Sequence, residues 1–234
     1  IELNGDNPIN GAPSGLFAAV GRNATGDGGN VTISTEDLRI LDGASLDATT
    51  FGEGDAGDLT VVATDQIQVS GSSPEGFPSS ISADVQPDAT GNAGNLTLKT
   101  GELFLSQGGQ ISVSTFGEGN GGELTVNASQ IELNGDNPID GSPSGLGAQV
   151  GRNATGDGGD VTISTEDLRI LDGANLSAST FGKGDAGNLT VVATDQIQVI
   201  GTDPEGNSSG IAAQVNPGAT GNAGNLTLKT GELL

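Results

Sequence analysis

The chain lacks most of the residues that carry common enzyme and metal chemistry. Its 234 residues include no Cys, His, Met, Trp or Tyr, and only six Phe. Without Cys it forms no disulfide and no thiolate metal site, and without His it has no His-based triad and no His-ligated zinc or iron. Bases are scarce too, since 7 Lys and Arg face 30 Asp and Glu for a net charge of −23. Nucleic acid and anionic membranes are therefore not expected as partners.

Long apolar runs are also missing. No run is long enough to cross a bilayer, so we expect no membrane insertion, and the amino terminus carries no signal-peptide pattern. Because the chain begins at Ile1 rather than Met, we expect it to be part of a longer chain. The 41 Gly and the high charge raise the question of disorder, which the periodicity of the sequence answers.

What the chain has in abundance is repetition. Residues 1–104 align without a gap to residues 131–234, and 21 of these 104 positions differ, which leaves 83 identical. A shorter unit is nested inside this 130-residue repeat, because the pattern (N/D/E)-(L/V)-T-(V/I/L) recurs at spacings that alternate between 28 and 37 residues. The pattern begins at Asn30, Asp58, Asn95, Glu123, Asp160, Asn188 and Asn225. Periods in this range are typical of solenoids.

Each unit contains three short segments with the apolar–polar alternation of β-strands, for example 31–33, 38–40 and 46–48. When the units are aligned, aliphatic residues fall into common columns. The first of these, which we call the core column, consists of Val31, Leu59, Leu96, Leu124, Val161, Leu189 and Leu226. Three strands and Gly-rich turns in every unit predict an all-β parallel β-helix, with one unit per coil. We expect one continuous solenoid over residues 1–234, without a domain boundary.

The two copies of the 130-residue repeat differ at positions where a solenoid tolerates substitution. The 21 differences, such as Asp47/Ser177 and Phe77/Asn207, fall at positions predicted to point outward or to lie in turns.

The long units carry an additional insert between the second and third strands. These inserts include Asp6-Asn7-Pro8-Ile9, 73–78 and 203–206. We expect them to project from one side at every second coil, where solenoids place binding function.

The units 91–100 and 27–35, with 111–117 and its counterparts, resemble the repeats of filamentous-haemagglutinin-like exoproteins, particularly those of cyanobacteria. The resemblance covers the whole chain as a repeat pattern. It implies a right-handed parallel β-helix, two-partner secretion, and a role as part of the shaft of an extracellular, cell-surface adhesin or fibre. The amino-terminal secretion domain of that family is not visible in this sequence.

The function predicted from these features is a structural or adhesive segment of a secreted fibre, with copies associating end to end or laterally. Cell-surface or extracellular polysaccharide is the other candidate partner. The competing class is a carbohydrate-active or carbohydrate-binding β-helix, and a stalk whose active head lies elsewhere is an intermediate alternative. Nearly every Asp, Glu and Arg recurs in the other copy, for example Arg39/Arg169, whereas catalytic sites are usually single. We therefore predict no catalytic residues, and a groove with carboxylates from one copy only would favour the enzyme.

The acidic turns offer oxygen ligands for Ca²⁺. No nine-residue calcium-roll repeat is present, and Gly and Asp in turns usually serve backbone geometry and capping. We therefore expect no tightly held cofactor, and at most weak, distributed divalent binding. The candidate acids are Asp27, Glu53, Asp55, Asp88 and Asp157.

Overall fold

The computed structural model describes residues 1–5 and 12–234, and over these ranges it is all-β with no helix. The insert residues Asp6-Asn7-Pro8-Ile9 lie outside the described residues. The strands form two sheets in which every strand pair is parallel. The chain alternates between the sheets, so each strand pairs with the strand two positions away in the sequence. The predicted all-β, parallel architecture is confirmed, and it is consistent with a β-solenoid.

Within the described residues the long sheet has eight strands: β1 Glu2–Asn4, β3 Val31–Leu41, β5 Leu59–Ser70, β7 Leu96–Ser106, β9 Leu124–Asn134, β11 Val161–Leu171, β13 Leu189–Ile200 and β15 Leu226–Leu233. The short sheet has seven strands of three residues: β2 Gly15–Phe17, β4 Ser45–Asp47, β6 Ser80–Ser82, β8 Gln110–Ser112, β10 Gly145–Gly147, β12 Asn175–Ser177 and β14 Gly210–Ala212. Isolated parallel bridges, such as Val20 with Thr50 and Thr50 with Val85, continue the pairing outside both sheets.

The register of the long sheet pairs each member of the core column with the next. Val31 pairs with Leu59, Leu59 with Leu96, and the pairing continues through Leu124, Val161 and Leu189 to Leu226. From Leu59 to Leu189 these side chains are at most 1% exposed, whereas Leu226, in the last strand, is 47% exposed. The aliphatic columns thus line one continuous interior between the two sheets.

The first two strand segments of each unit belong to a single long strand. In β3 the segments 31–33 and 38–40 both point their aliphatics inward, and the register against β5 shifts between Thr35 and Asp37. The third segment lies in the short sheet, where Leu46 of β4 is fully buried. A bend inside one strand therefore replaces the turn that separates these two segments in the sequence-based prediction.

The Gly-rich turns stack as tightly as the strands. At Gly122 a Cβ atom would overlap the carbonyl oxygen of Gly94 in the preceding coil, and Gly94 stands in the same relation to Gly57. Gly119 also adopts a φ of 138°, which side-chain-bearing residues rarely reach. Glycine recurs in the turns because the backbones of successive coils approach too closely for any side chain.

The described inserts are small hairpins that lie against one another. Each is closed by an antiparallel bridge: Ser72 with Pro78, Asp136 with Pro143, and Thr202 with Ser208. The first two hairpins touch, because Ser72 Oγ donates to Asn137 Oδ1 at 3.1 Å and Asn137 Nδ2 donates to the Gly76 carbonyl at 3.0 Å. The described inserts therefore stack against one another beside the short sheet.

Candidate functional site

A groove opens on the outer face of the short sheet in the first copy of the repeat. It encloses about 310 Å³ and spans strands β4 and β6, with the 72–78 hairpin on one side. We call it the first-copy groove. Its lining residues are Pro13, Gly43, Ser45, Asp47, Ser73, Phe77, Pro78, Ser80, Ser82 and Gln86.

The hairpin presents an aromatic ring to this groove. The Ser73 amide donates to the Phe77 carbonyl at 2.8 Å, and the Phe77 amide lies 3.3 Å from Ser73 Oγ, which accepts from it. Ser73 is almost fully buried and packs over Gly43, where a Cβ atom would come within 3 Å of Ser73. Phe77, which faces Ser73 across the hairpin, is 63% exposed. A rigid support thus holds one large apolar ring in contact with solvent.

The floor of the groove is polar, because strand alternation turns Leu46 and Ile81 into the core and their neighbours outward. Ser45 Oγ and Ser80 Oγ share a hydrogen bond of 3.2 Å across the two strands. Asp47 is half-buried, and its Oδ1 accepts the Thr49 amide at 2.8 Å. The floor therefore offers hydroxyl groups and one carboxylate held in a fixed orientation.

A second carboxyl group, Asp84, lies beneath the surface at the end of β6. It is 5% exposed, and its Oδ1 accepts the Ser114 amide at 2.6 Å and Ser112 Oγ at 2.7 Å. Burial raises the pKa of Asp84 to about 7 from its usual 3.8, against these two hydrogen bonds and with a small contribution from the charge of Asp47. Asp84 thus joins one coil to the next and does not face a ligand.

The first-copy groove is where the two copies of the repeat differ most. Only Pro13 and Gly43 recur in the second copy, so eight of the ten lining residues differ, against 21 of 104 over the whole alignment. The replacements at the four central positions are Asp47 by Ser177, Phe77 by Asn207, Ser80 by Gly210 and Ser82 by Ala212. The second copy therefore lacks the ring and the Asp47 carboxylate, and it carries a different acid, Asp203, at the position of Ser73.

The acids predicted as divalent ligands are exposed, and their main contacts are hydrogen bonds with the backbone or positions in turns. Asp27 Oδ1 accepts the amide of Asp55 at 3.0 Å, Asp55 Oδ1 accepts that of Asn92 at 2.7 Å, and Asp157 Oδ1 accepts that of Asp185 at 2.9 Å. Glu53 lies in backbone bridges, and Asp88 occupies a turn with a φ of 68°. Within residues 1–5 and 12–234, none of the five belongs to a group of three acids close enough to share an ion.

The acids that do come together were not among those predicted. Carboxylate oxygens of Asp136, Asp203 and Glu205 all lie within 4.8 Å of one another, on neighbouring insert hairpins. Asp203 is 5% exposed, and the side-chain amide of Asn207 lowers its pKa. The available sequence signal was the stacking of inserts at every second coil, which places acids of different inserts side by side. Asp203 is buried and bonded to Asn207, Asp136 is half-buried and Glu205 is exposed, and such acidic groups are common without an ion.

Comparison with protein-family models, with curated proteins and with solved structures finds no match for the chain. The described part of the chain also contains no helix of the length and apolarity needed to span a membrane.

Proposed function

We propose that the chain is a structural and adhesive segment of a secreted bacterial surface fibre of the filamentous-haemagglutinin-like type. In this proposal it is a right-handed β-helix with three strand segments per coil and alternating coils of 28 and 37 residues. The place of action is extracellular or at the cell surface. Two-partner secretion and the family assignment rest on the resemblance of the repeats.

The observation that carries the proposal is the constancy of the long-sheet face. Strands β3 and β11 have the same sequence, and β5 and β13 differ only at their last residues, Ser70 and Ile200. The outward side chains of this face therefore recur after 130 residues with two exceptions, Ser70/Ile200 and Phe104/Leu234, along a ladder of parallel pairs. A surface repeated along an axis supports contacts that are themselves repeated, as in a fibre or a bundle of fibres.

Charge governs how such shafts associate. With a net charge of −23, neighbouring copies repel one another at low ionic strength, so lateral contact needs screening or divalent ions between acidic turns. The exposed Asp27, Asp55 and Asp157 already accept backbone hydrogen bonds through one oxygen. The remaining oxygen suits weak and distributed ion binding rather than a closed site.

A catalytic role is not part of this proposal. Acid–base chemistry on a polymer needs two accessible carboxyl groups on opposite sides of the bond that is cleaved. The first-copy groove exposes only Asp47, because Asp84 is covered and bonded to Ser112 and Ser114.

Surface labelling tests the proposal. Antibodies raised against the whole chain, applied to intact cells of the source organism, should decorate filaments outside the cell. Labelling that appears only after the cells are made permeable would contradict it.

A further inference from the structure

We propose that the first-copy groove binds a neutral saccharide, with Phe77 as the stacking platform and Asp47 as the main hydrogen-bond acceptor. This inference concerns one face of one copy. It does not depend on the fibre role, because an isolated chain presents the same groove.

The aromatic ring is the first argument. Phe77 is 63% exposed, and two hydrogen bonds with Ser73 hold its backbone in place. The protein therefore loses little backbone entropy when a ligand stacks on the ring. The remaining wall, formed by Pro78 and Pro13, is also apolar and rigid. Sugar rings carry a face of C–H groups that packs on such a ring, and their edges carry hydroxyl groups that need polar partners.

The floor supplies those partners. Ser45, Ser80 and Ser82 each donate and accept through a hydroxyl group, and Gln86 does so through its amide. The Asp47 carboxylate accepts hydrogen bonds from hydroxyl groups, and such charge-assisted bonds are the stronger kind. The enclosed volume of about 310 Å³ lies at the lower end of the range of small-molecule sites, roughly 300–1,000 Å³. A short stretch of a glycan fits this size and chemistry.

The charge of the chain and the pairing of its strands argue against two other classes of ligand for this groove, acidic ligands and peptides. A chain with a net charge of −23 repels acidic glycans and phosphate-bearing ligands, and the groove contains no Arg or Lys to offset this. A peptide that docks as an extra strand needs a free sheet edge, whereas β4 and β6 each have parallel partners on both sides. The occupant that matches the groove is therefore neutral and rich in hydroxyl groups.

The divergence between copies supports a binding role. Eight of ten lining residues change in the second copy, while the buried residues beneath them, Leu46/Leu176 and Ile81/Ile211, remain the same. Packing alone does not require this pattern, because the outward residues of the long sheet change at only two places, Ser70/Ile200 and Phe104/Leu234. A change of ring and carboxylate together, to Asn207 and Ser177, is the change expected if one groove binds a ligand that the other does not.

The second copy also provides the variants for the test. Phe77→Asn and Asp47→Ser install residues that the same scaffold already accepts at the equivalent positions 207 and 177. Lys99→Asn, on the outer face of the long sheet, serves as a control because Asn127 occupies the equivalent place in the next coil. Circular dichroism and thermal melts should show all three variants folded, so that a loss of binding reports on the groove.

Binding is measured by proton NMR with the full 234-residue chain and four neutral probes: cellotetraose, maltotetraose, mannotetraose and chitotetraose. At least one should give saturation transfer from the Phe ring protons and a saturable titration. Its affinity should fall by about tenfold or more in Phe77→Asn and in Asp47→Ser, and stay unchanged in Lys99→Asn. The combined reverse variant Ser177→Asp, Asn207→Phe should gain a second, weaker site.

Three outcomes would overturn the inference. The first is no saturable binding of any of the four probes, and the second is binding that Phe77→Asn leaves intact. The third is preferential binding of an acidic oligosaccharide, such as oligogalacturonate, or of an oligolysine peptide, over every neutral probe. None of these would bear on the fibre role, which the labelling of intact cells tests separately.

Discussion

The outer faces of the two sheets have diverged to different extents between the copies. On the long sheet, β3 and β11 are identical over eleven residues. On the short sheet, each strand of the first copy differs from its counterpart at one or both outward residues. The pairs are Gly-Leu-Phe with Gly-Leu-Gly, Ser-Leu-Asp with Asn-Leu-Ser, and Ser-Ile-Ser with Gly-Ile-Ala.

This difference separates two constraints on the sequence: the packing of the interior, which both sheets share, and the contacts that each outer face makes. Both faces cover the same interior, and the central residues of the short strands, Leu46, Leu146 and Leu176, are fully or almost fully buried. If packing were the only constraint, outward residues on both faces would vary alike. The constant face therefore carries a repeated contact in our account, and the variable face carries recognition.

The largest expected effect concerns the interior that both faces share. Leu98 is fully buried in β7 between Val61 and Val126, so Leu98→Asp would bury a carboxylate without a partner. We expect a loss of about 4 kcal/mol or more of unfolding free energy and proteolysis within coils 95–122 and 123–159. Limited proteolysis and urea denaturation measure this.

Its matched control is the next residue. Lys99 points outward from the same strand, so Lys99→Asp should change the unfolding free energy by less than about 0.5 kcal/mol. Wild-type protease resistance in Leu98→Asp would contradict the inward placement of this column.

The next largest effect is the pH dependence of stability at Asp84, where the second copy has Gln214. Asp84 has a folded pKa of about 7, above its unfolded value of 3.8, so the native state binds more protons between these pH values. Its contribution to stability is complete below about pH 4 and is lost as the pH rises through 7. Asp84→Gln, which installs the second-copy residue Gln214, should therefore stabilise the chain by about 2–4 kcal/mol above pH 7 and by little below pH 4.

Urea denaturation at pH 4, 6 and 8 measures the effect. The reverse change Gln214→Asp serves as the control, since Gln214 is exposed and a carboxylate there stays hydrated. Equal stabilisation by Asp84→Gln at pH 4 and pH 8 would show that Asp84 does not titrate as described.

A smaller effect is expected at the glycines of the stacked turns, which recur from coil to coil. Gly122→Ala would drive a Cβ atom into the Gly94 carbonyl and push two coils apart, which should cost about 1–3 kcal/mol. Gly210→Ser is the control, because no atom lies within 4 Å of the added Cβ and Ser80 occupies the equivalent position. Thermal denaturation should separate the two variants, and equal melting temperatures would refute the close stacking of turns.

The smallest expected effect is on association. Millimolar Ca²⁺ should increase light scattering by the chain, and a chelator should reverse the increase, because distributed carboxylates bind divalent ions weakly. The measurement compares Ca²⁺, Mg²⁺ and NaCl at matched ionic strength. If NaCl alone has the same effect, screening suffices and no bridging occurs.

The repeat made the core of this fold predictable from the sequence. A column such as Val31, Leu59 and Leu96 can be read without coordinates, because a fixed period forces equivalent residues into register. The union of two predicted strands into β3 was not predictable in this way. It depends on a bend near Thr35 and Asp37, where polar residues resemble a turn.

The site was less predictable, because it depends on contacts between coils. The sequence identified Asp47 and Phe77 as differences between copies, but it did not place them in one groove, since the insert hairpin had to fold back beside β6. The burial of Asp84 comes from Ser112 and Ser114 in the next coil. The group Asp136, Asp203 and Glu205 depends in the same way on the stacking of two hairpins.

The assignment of the two faces to different roles is tested most directly by electron cryomicroscopy of the native material. Our account predicts shafts that contact one another through the outer face of the long sheet, with the insert hairpins and the first-copy groove open to solvent. Filaments in which the short-sheet face is buried between neighbouring shafts, or native material that consists of dispersed single molecules, would contradict it.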